Sequence, residues 1–208
     1  MHQISETMEA QSKSSETDTP ATDRWKKLVP RIVQDLSDEQ IDIIPERIPE
    51  IIAKIATGES NRGKGLCLYG TTGTGKTKRF KFIANKIGIT ILTANDIVEA
   101  MVSDGESSVN DMCKLDVKRW NNVPPHFFDL IIDDIGSEPT EQVLYGTRHN
   151  IIADVIEKRY KIFPQWKTHI STNLTKEQIE ERYGHRVFSR LNEMCVFFPM
   201  TGKDRRMA

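Results

Sequence analysis

Residues 66–77 read LCLYGTTGTGKT and decide the fold of the chain. The first four residues are an apolar run that predicts a buried strand, and the glycine-rich turn behind it leads into a helix through Gly75, Lys76 and Thr77. From Gly70 onward the spacing is G-x-x-x-x-G-K-T, which is the pattern of a phosphate-binding loop, or P-loop. A strand, this turn and a helix in that order predict an anion site at the start of the helix.

Each residue type in the loop has a chemical role toward a phosphate group. Glycines turn tightly with positive φ and leave no Cβ between the backbone and a phosphate oxygen. Lys76 would reach the β- and γ-phosphates, and the Thr77 hydroxyl would ligate Mg²⁺. A glycine- and threonine-rich turn without a ligand would not account for this Lys-Thr pair, so we expect a bound nucleoside triphosphate. The residues expected around it are Gly70, Thr71, Thr72, Gly73, Thr74, Gly75, Lys76, Thr77 and Lys78.

Composition divides the 208 residues into three parts. Residues 1–23 hold one basic and five acidic side chains with almost no large apolar ones, and we expect a disordered tail. In residues 24–58 apolar side chains recur at helical spacing between prolines, which predicts a small helical appendage. This appendage either packs on the next domain or docks a partner. Residues 59–208 form the domain that contains the P-loop.

Charge and cysteine content narrow the functional class. Between residues 61 and 86 there are seven basic and no acidic side chains, which suits a polyphosphate and, more weakly, a nucleic-acid backbone. Three widely separated cysteines without C-x-x-C spacing indicate reduced, mostly buried thiols rather than a disulfide framework or a zinc site.

No apolar run reaches the roughly 18–20 residues of a membrane span, and the N-terminus lacks a signal-peptide core. We therefore expect a soluble, cytoplasmic protein without a membrane partner.

After the P-loop, apolar runs alternate with amphipathic segments. We predict strands at residues 66–69, 89–93, 127–135, 167–172 and 195–198. We predict helices at residues 76–87, 109–120, 150–160, 175–183 and 187–194, with a further helix capped by Asn95 or Asp96. This alternation predicts an α/β fold, in which a parallel five-stranded sheet is flanked by helices.

A second part of the site is expected at the end of the strand in residues 127–135. This strand ends in Asp133 and Asp134, and we expect it to lie beside the P-loop strand with its carboxyl end near the Mg²⁺ side of a triphosphate. Asp133 would hold Mg²⁺ directly or through water, and Asp134 is the candidate to polarise the attacking water. Asn173 ends another strand and would hold this water near the γ-phosphate, unless it only caps a helix.

The C-terminal stretch is basic. Arg186 and Arg190 are spaced i, i+4, so they share one helix face and repel slightly unless an anion or an acidic partner faces them. A phosphate group supplied across a subunit interface would be such an anion, as in an arginine finger. The simpler interpretation is a solvated basic face.

Together these motifs resemble the AAA+ ATPases of the DnaC-type replicative helicase loaders and of the IstB-type transposition helpers. The resemblance covers about residues 60–206 and rests on residues 70–77, 130–136, 171–174, 184–191 and 202–206. It implies that Asn173 is sensor 1 and that Arg190, with Arg186 as its companion, is a finger acting on the ATP of a neighbouring subunit. It also implies that Arg206 is sensor 2, which contacts the γ-phosphate and binds the nucleotide in cis, with Arg205 as the alternative.

By the same resemblance, the chain is expected to be a Mg²⁺-dependent ATPase that self-associates and loads a replicative helicase onto single-stranded DNA. The segment from residue 95 to Trp120 occupies the region where this group carries an insertion for single-stranded DNA. One alternative is an IstB-like ATPase that regulates a transposase. Others are an ATP-binding switch or adaptor with little turnover, and a small-molecule kinase.

Overall fold

The structure is a computed structural model that describes residues 64–116, 127–144 and 146–202. The expected tail (1–23) and helical appendage (24–58) lie outside the described residues. So do Trp120, Arg205 and Arg206, and these predictions are therefore not addressed by the fold.

Seven strands and six helices make up the described part of the chain. The strands are β1 (Gly65–Tyr69), β2 (Thr90–Thr93), β3 (Leu130–Ile135), β4 (Gln142–Leu144), β5 (Thr147–His149), β6 (Thr168–Thr172) and β7 (Cys195–Pro199). The helices are α1 (Lys76–Ile87), α2 (Ala94–Ser103), α3 (Glu106–Met112), α4 (Ile151–Tyr160), α5 (Lys176–Tyr183) and α6 (His185–Met194). Five strands form one parallel sheet in the order β2-β3-β6-β1-β7, and the predicted fold class is confirmed.

The position of β3 corrects the sequence analysis. We expected this strand to lie beside the P-loop strand β1, but β6 lies between them and pairs with both. In register, Tyr69 of β1 is opposite Thr172 of β6. An apolar pattern identifies a strand but not its neighbours, because pairing depends on contacts between residues far apart in sequence.

Alternating side chains of β1 divide the core into two layers. Leu66 and Leu68 face α1 and pack with its buried residue Phe80. Cys67 faces the opposite side, where it packs in a larger cluster with Ile152 of α4 and the other helices. Because successive side chains of a strand point to opposite faces, this one strand is buried on both sides, as its uniformly apolar sequence indicates.

Several helix boundaries differ from the predictions because capping residues set them. Helix α2 begins at Ala94, since the Thr93 hydroxyl accepts from the Asp96 N–H and the Asp96 carboxylate accepts from the Thr93 N–H, so Asp96 belongs to the first turn. Helix α6 begins two residues early, at His185, because Gly184 (φ 85°) both ends α5 and starts α6. Helix α5 follows Thr175, whose hydroxyl accepts from the Gln178 N–H while the Gln178 side chain accepts from the Thr175 N–H.

Two further segments were predicted incorrectly. Helix α3 begins at Glu106 and ends at Met112, whereas we predicted a loop up to residue 108 and a helix over residues 109–120. The antiparallel hairpin β4–β5 was not predicted. Its strands have three residues each, which is too short for an apolar periodicity from which a strand could be predicted.

The three cysteines behave as predicted. Cys67, Cys113 and Cys195 are free and buried. Burial raises the pKa of the Cys113 and Cys195 thiols to about 12 and raises the pKa of Cys67 well above its usual value. They are therefore structural thiols with little thiolate at neutral pH.

Within the described residues, no helix has both the length and the apolar character needed to span a membrane.

Candidate functional site

The P-loop has the backbone conformation that an anion site requires. Gly70, Gly73 and Gly75 have φ values of 116°, 77° and 88°, which side chains with a Cβ rarely adopt. At Gly70 a Cβ would also lie 2.7 Å from the Met200 carbonyl oxygen, so close packing excludes any larger residue there. Met200 anchors the loop, since its N–H donates to the Tyr69 carbonyl at 2.7 Å.

Lys76, the first residue of α1, points into this loop. Its side chain is buried, and its ammonium donates to the carbonyls of Gly70 and Thr71, both at 2.8 Å. The N-cap Gly75 has no side chain to bond the N–H groups of the first turn, and no acidic residue lies in that turn. A positive charge, the helix dipole and backbone donors thus converge at one point, which is the composition of a phosphate site.

The other predicted phosphate contacts line the same turn. Thr74 is buried, and its hydroxyl donates to the Thr71 carbonyl at 2.9 Å, which closes the loop. Thr72 and Lys78 are exposed, whereas Thr77 on the first turn of α1 is half-buried. Thr77 directly follows Lys76 on this turn, and its Mg²⁺ contact stays a prediction.

The acidic end of β3 is held by a serine that the sequence analysis did not select. The hydroxyl of Ser171 on β6 donates to Oδ1 of the buried Asp133 and accepts from the backbone N–H of Asp134 at 2.8 Å. One hydroxyl thus fixes both acidic residues. The sequence shows only that Ser171 lies two positions before Asn173 in a strand with several polar residues, so nothing local distinguished it.

Asp134 has a strained backbone. Its φ is 60°, and the pairing of β3 with β6 shifts register between Ile132 and Ile135, so the two aspartates form a bulge. Asn173 Nδ2 donates to Asp134 Oδ1 at 2.8 Å. A non-glycine residue in this conformation costs on the order of 1–3 kcal/mol and is typical of functional sites, where surrounding contacts maintain it.

The strand order brings these residues to one edge of the sheet. Parallel strands end on the same side, so the P-loop after β1, Asn173 after β6 and the Asp133–Asp134 bulge of β3 share the carboxyl edge. Asn173 lies between the other two, because β6 separates β1 from β3. Two strand spacings, about 10 Å, separate β1 from β3 at this edge.

The chemistry of the donor set fits Mg²⁺ only together with a phosphate ligand. Among residues 64–116, 127–144 and 146–202, no three His, Cys, Asp or Glu side chains form a metal-binding group. Mg²⁺ in proteins is commonly held by one or two carboxylates with substrate phosphates and water. The Thr77 hydroxyl and the Asp133 carboxylate would supply the protein ligands in such a site.

The two predicted arginines of α6 already have an acidic partner within the chain. The guanidinium groups of Arg190 and Arg186 both pair with Glu157 on α4, and that of Arg186 does so at 3.2 Å. Arg190 also lies over the Tyr160 ring, with its Cζ 4.7 Å from the ring centroid. The repulsion expected for this i, i+4 pair is thus relieved without a second subunit. Arg206 lies outside the described residues.

Comparison with known proteins agrees with this geometry. Residues 66–150 match the family model described as ATPase family associated with various cellular activities (AAA). A proteasome-activating nucleotidase of Methanocaldococcus jannaschii is 30% identical over 107 residues, which are 50% of this chain and 24% of that protein. The replicative helicase loader DnaI of Bacillus subtilis is 28% identical over 164 residues, which are 71% of this chain and 49% of that protein. The chain thus spans about half or less of these relatives.

A solved structure supports the fold. AMPPCP-bound DnaA from Aquifex aeolicus matches with a TM-score of 0.50 and 17% identity over 83% of this chain and 51% of that chain. Residues 66–150 thus resemble an AAA ATPase domain, and the fold around them is of the P-loop class. Its resemblance to the helicase loader group, which the sequence motifs predicted, is confirmed.

Replacing Ser171 with alanine tests whether its hydroxyl holds the acidic pair. In Ser171→Ala, the buried Asp133 carboxylate loses its donor, so we expect the free energy of unfolding in urea to fall by about 1–3 kcal/mol. The control Ser103→Ala removes an exposed hydroxyl that donates to the Glu99 carbonyl, and should change stability by less than about 0.5 kcal/mol. Equal effects of the two substitutions would contradict the assigned contact.

Proposed function

We propose that this protein hydrolyses ATP with Mg²⁺ at the carboxyl edge of the sheet. The observation that carries the proposal is the contact between Asn173 and Asp134, which brings an amide and a carboxylate together beside the P-loop. A nucleotide site without turnover needs the P-loop but has no use for an amide that holds a carboxylate on a strained backbone. Phosphoryl transfer is catalysed mainly by positioning and electrostatic stabilisation, and the residues at this edge suit both.

Each residue has a distinct role in this proposal. Lys76 exchanges the loop carbonyls for phosphate oxygens. Thr77 and Asp133 would hold Mg²⁺, which would supply charge stabilisation for the phosphates. Asp134 accepts a hydrogen bond from the attacking water. Asn173 keeps that water in line with the γ-phosphate while orienting the Asp134 carboxylate.

We propose that ATP hydrolysis times the loading of a replicative helicase onto single-stranded DNA. The match to a replicative helicase loader over 71% of this chain supports this role. The IstB-like alternative shares the chemistry and differs in having a transposase as partner. A kinase would transfer phosphate to an acceptor other than water, and a switch or adaptor would bind ATP without appreciable turnover.

We further propose that the subunits associate and that Arg190 acts on the ATP of a neighbour, with Arg186 beside it. Both arginines lie on one face of α6, and the Arg186 side chain is 76% exposed. Arg190 must exchange the Glu157 carboxylate for a phosphate oxygen in order to act there. A guanidinium that is already paired and stacked loses little additional conformational freedom in such an exchange.

The substitution Asp134→Asn distinguishes hydrolysis from an ATP-binding switch. Loss of the carboxylate should lower kcat by about a hundredfold or more, because the attacking water loses its acceptor. ATP affinity should stay within about threefold of the wild-type value, since Asp134 is not a phosphate ligand in this proposal. The control Asp104→Asn, at the exposed C-terminal end of α2, should leave both unchanged. Turnover that persists unchanged in Asp134→Asn would contradict the role of Asp134, whereas ATP binding without appreciable turnover in either protein would support the switch.

Turnover at increasing protein concentration, with and without single-stranded DNA, tests the finger. We expect turnover per subunit to rise with concentration and DNA, and Arg190→Ala to lower it by about a thousandfold. The control Arg148→Ala removes an exposed arginine of β5 and should have no effect. Mixing Arg190→Ala with Lys76→Ala should restore part of the activity, because Lys76→Ala subunits still supply a finger. Turnover that is independent of concentration and of Arg190 would exclude a finger in trans.

A further inference from the structure

Glu138 is a buried carboxylate to which the proposed chemistry gives no role. It lies three residues beyond β3, and its side chain is 2% exposed. Its Oε2 accepts from the Gly136 N–H at 2.7 Å, and its Oε1 accepts from the Tyr183 hydroxyl at 2.6 Å. The Arg182 guanidinium lies 3.4 Å from Oε1 and also donates to the Glu138 carbonyl. Both carboxylate oxygens are thus used, as burial of a charge requires.

On one side, Glu138 closes the turn that follows Asp134. The Asp134 carbonyl accepts from the Ser137 hydroxyl at 2.7 Å, and Gly136 within this turn has φ 96°. A Cβ on Gly136 would lie 2.6 Å from Leu174 Cδ1, so the turn packs directly against the residue after Asn173. The Glu138 carboxylate therefore stabilises a turn whose geometry fixes the strained backbone of Asp134.

On the other side, Glu138 binds the junction between α5 and α6. Arg182 and Tyr183 are the last two residues of α5, and Gly184 connects them to α6, which carries Arg186 and Arg190. Burial, and then the neighbouring Glu138, raise the pKa of Tyr183, so its hydroxyl keeps the proton that it donates. One carboxylate thus links the turn after Asp134 to the start of the arginine helix.

We infer that Glu138 is a positioning residue, which holds Asp134 in its hydrolytic geometry and couples that geometry to the orientation of α6. The inference rests on the proposed ATPase function and extends it, because it identifies the contact through which the two parts of the site communicate. The Glu138 carboxylate forms one hydrogen bond to the turn and one to Tyr183, so a change in the turn moves the Tyr183–Gly184 junction. A displacement of α6 acts on the turn through the same two hydrogen bonds. A merely structural Glu138 would affect stability without affecting turnover.

Two substitutions test this coupling. Tyr183→Phe removes one hydroxyl from Glu138, and Glu138→Gln removes the charge while keeping the side-chain size. At a temperature where every variant is folded, kcat should fall about threefold in Tyr183→Phe and about tenfold in Glu138→Gln, whereas affinity for an ATP analogue should change less than about twofold. Amide hydrogen exchange of residues 134–138 should accelerate by at least about threefold in both variants, in the absence of nucleotide.

Thr168→Val is the matched control, because it removes one hydroxyl that accepts from the buried Arg159 guanidinium at the opposite edge of the sheet. It should lower stability while leaving kcat and the exchange of residues 134–138 unchanged. If Glu138→Gln has a normal kcat, or unaltered hydrogen exchange in that turn, this inference is overturned while the proposed function stands. A wild-type protein without turnover would instead overturn the proposed function and the catalytic part of this inference, and the exchange data would still test the structural contact.

Discussion

The candidate site depends on the hydrogen bonding of β6 to both β1 and β3. Because β6 is central, its polar residues Ser171 and Asn173 lie between the P-loop and the acidic bulge of β3. Ser171 then orients both aspartates from within strand β6, and Asn173 orients Asp134 at the surface. If β3 were the direct neighbour of β1, this polar layer would be absent, and the acidic residues would lack the donors that hold them.

Burial strengthens the electrostatic interaction of Lys76 and Asp133 with a bound ligand. Lys76 and Asp133 are each less than 10% exposed, so both would interact strongly with a phosphate or a metal ion in a poorly solvated environment. The same burial makes an unpaired group costly, which explains why Lys76 binds loop carbonyls and Asp133 binds Ser171. Ligand binding would therefore replace existing hydrogen bonds rather than satisfy vacant groups, and its free energy would be a difference between two well-bonded states.

The sequence predicted those features that depend on local residue patterns. The P-loop and the five parallel strands each follow from a few adjacent residues whose conformations are restricted. It did not predict the strand order, the role of Ser171, or the pairing of Arg190 with Glu157, since these depend on residues between 33 and more than 100 positions apart in the chain. The hairpin β4–β5 was missed because its two strands of three residues are too short to show an apolar pattern. Local chemistry identified the groups, and long-range packing determined their partners.

In our proposal the P-loop and Asp133 form one site for ATP with Mg²⁺. The affinity of a fluorescent ATP analogue, measured with and without Mg²⁺ for the wild type and for Asp133→Asn, tests this arrangement. We expect Mg²⁺ to strengthen binding to the wild type, and we expect Asp133→Asn to lose most of this gain while retaining the metal-free affinity. An equal gain from Mg²⁺ in both proteins, or no binding to the wild type, would contradict it.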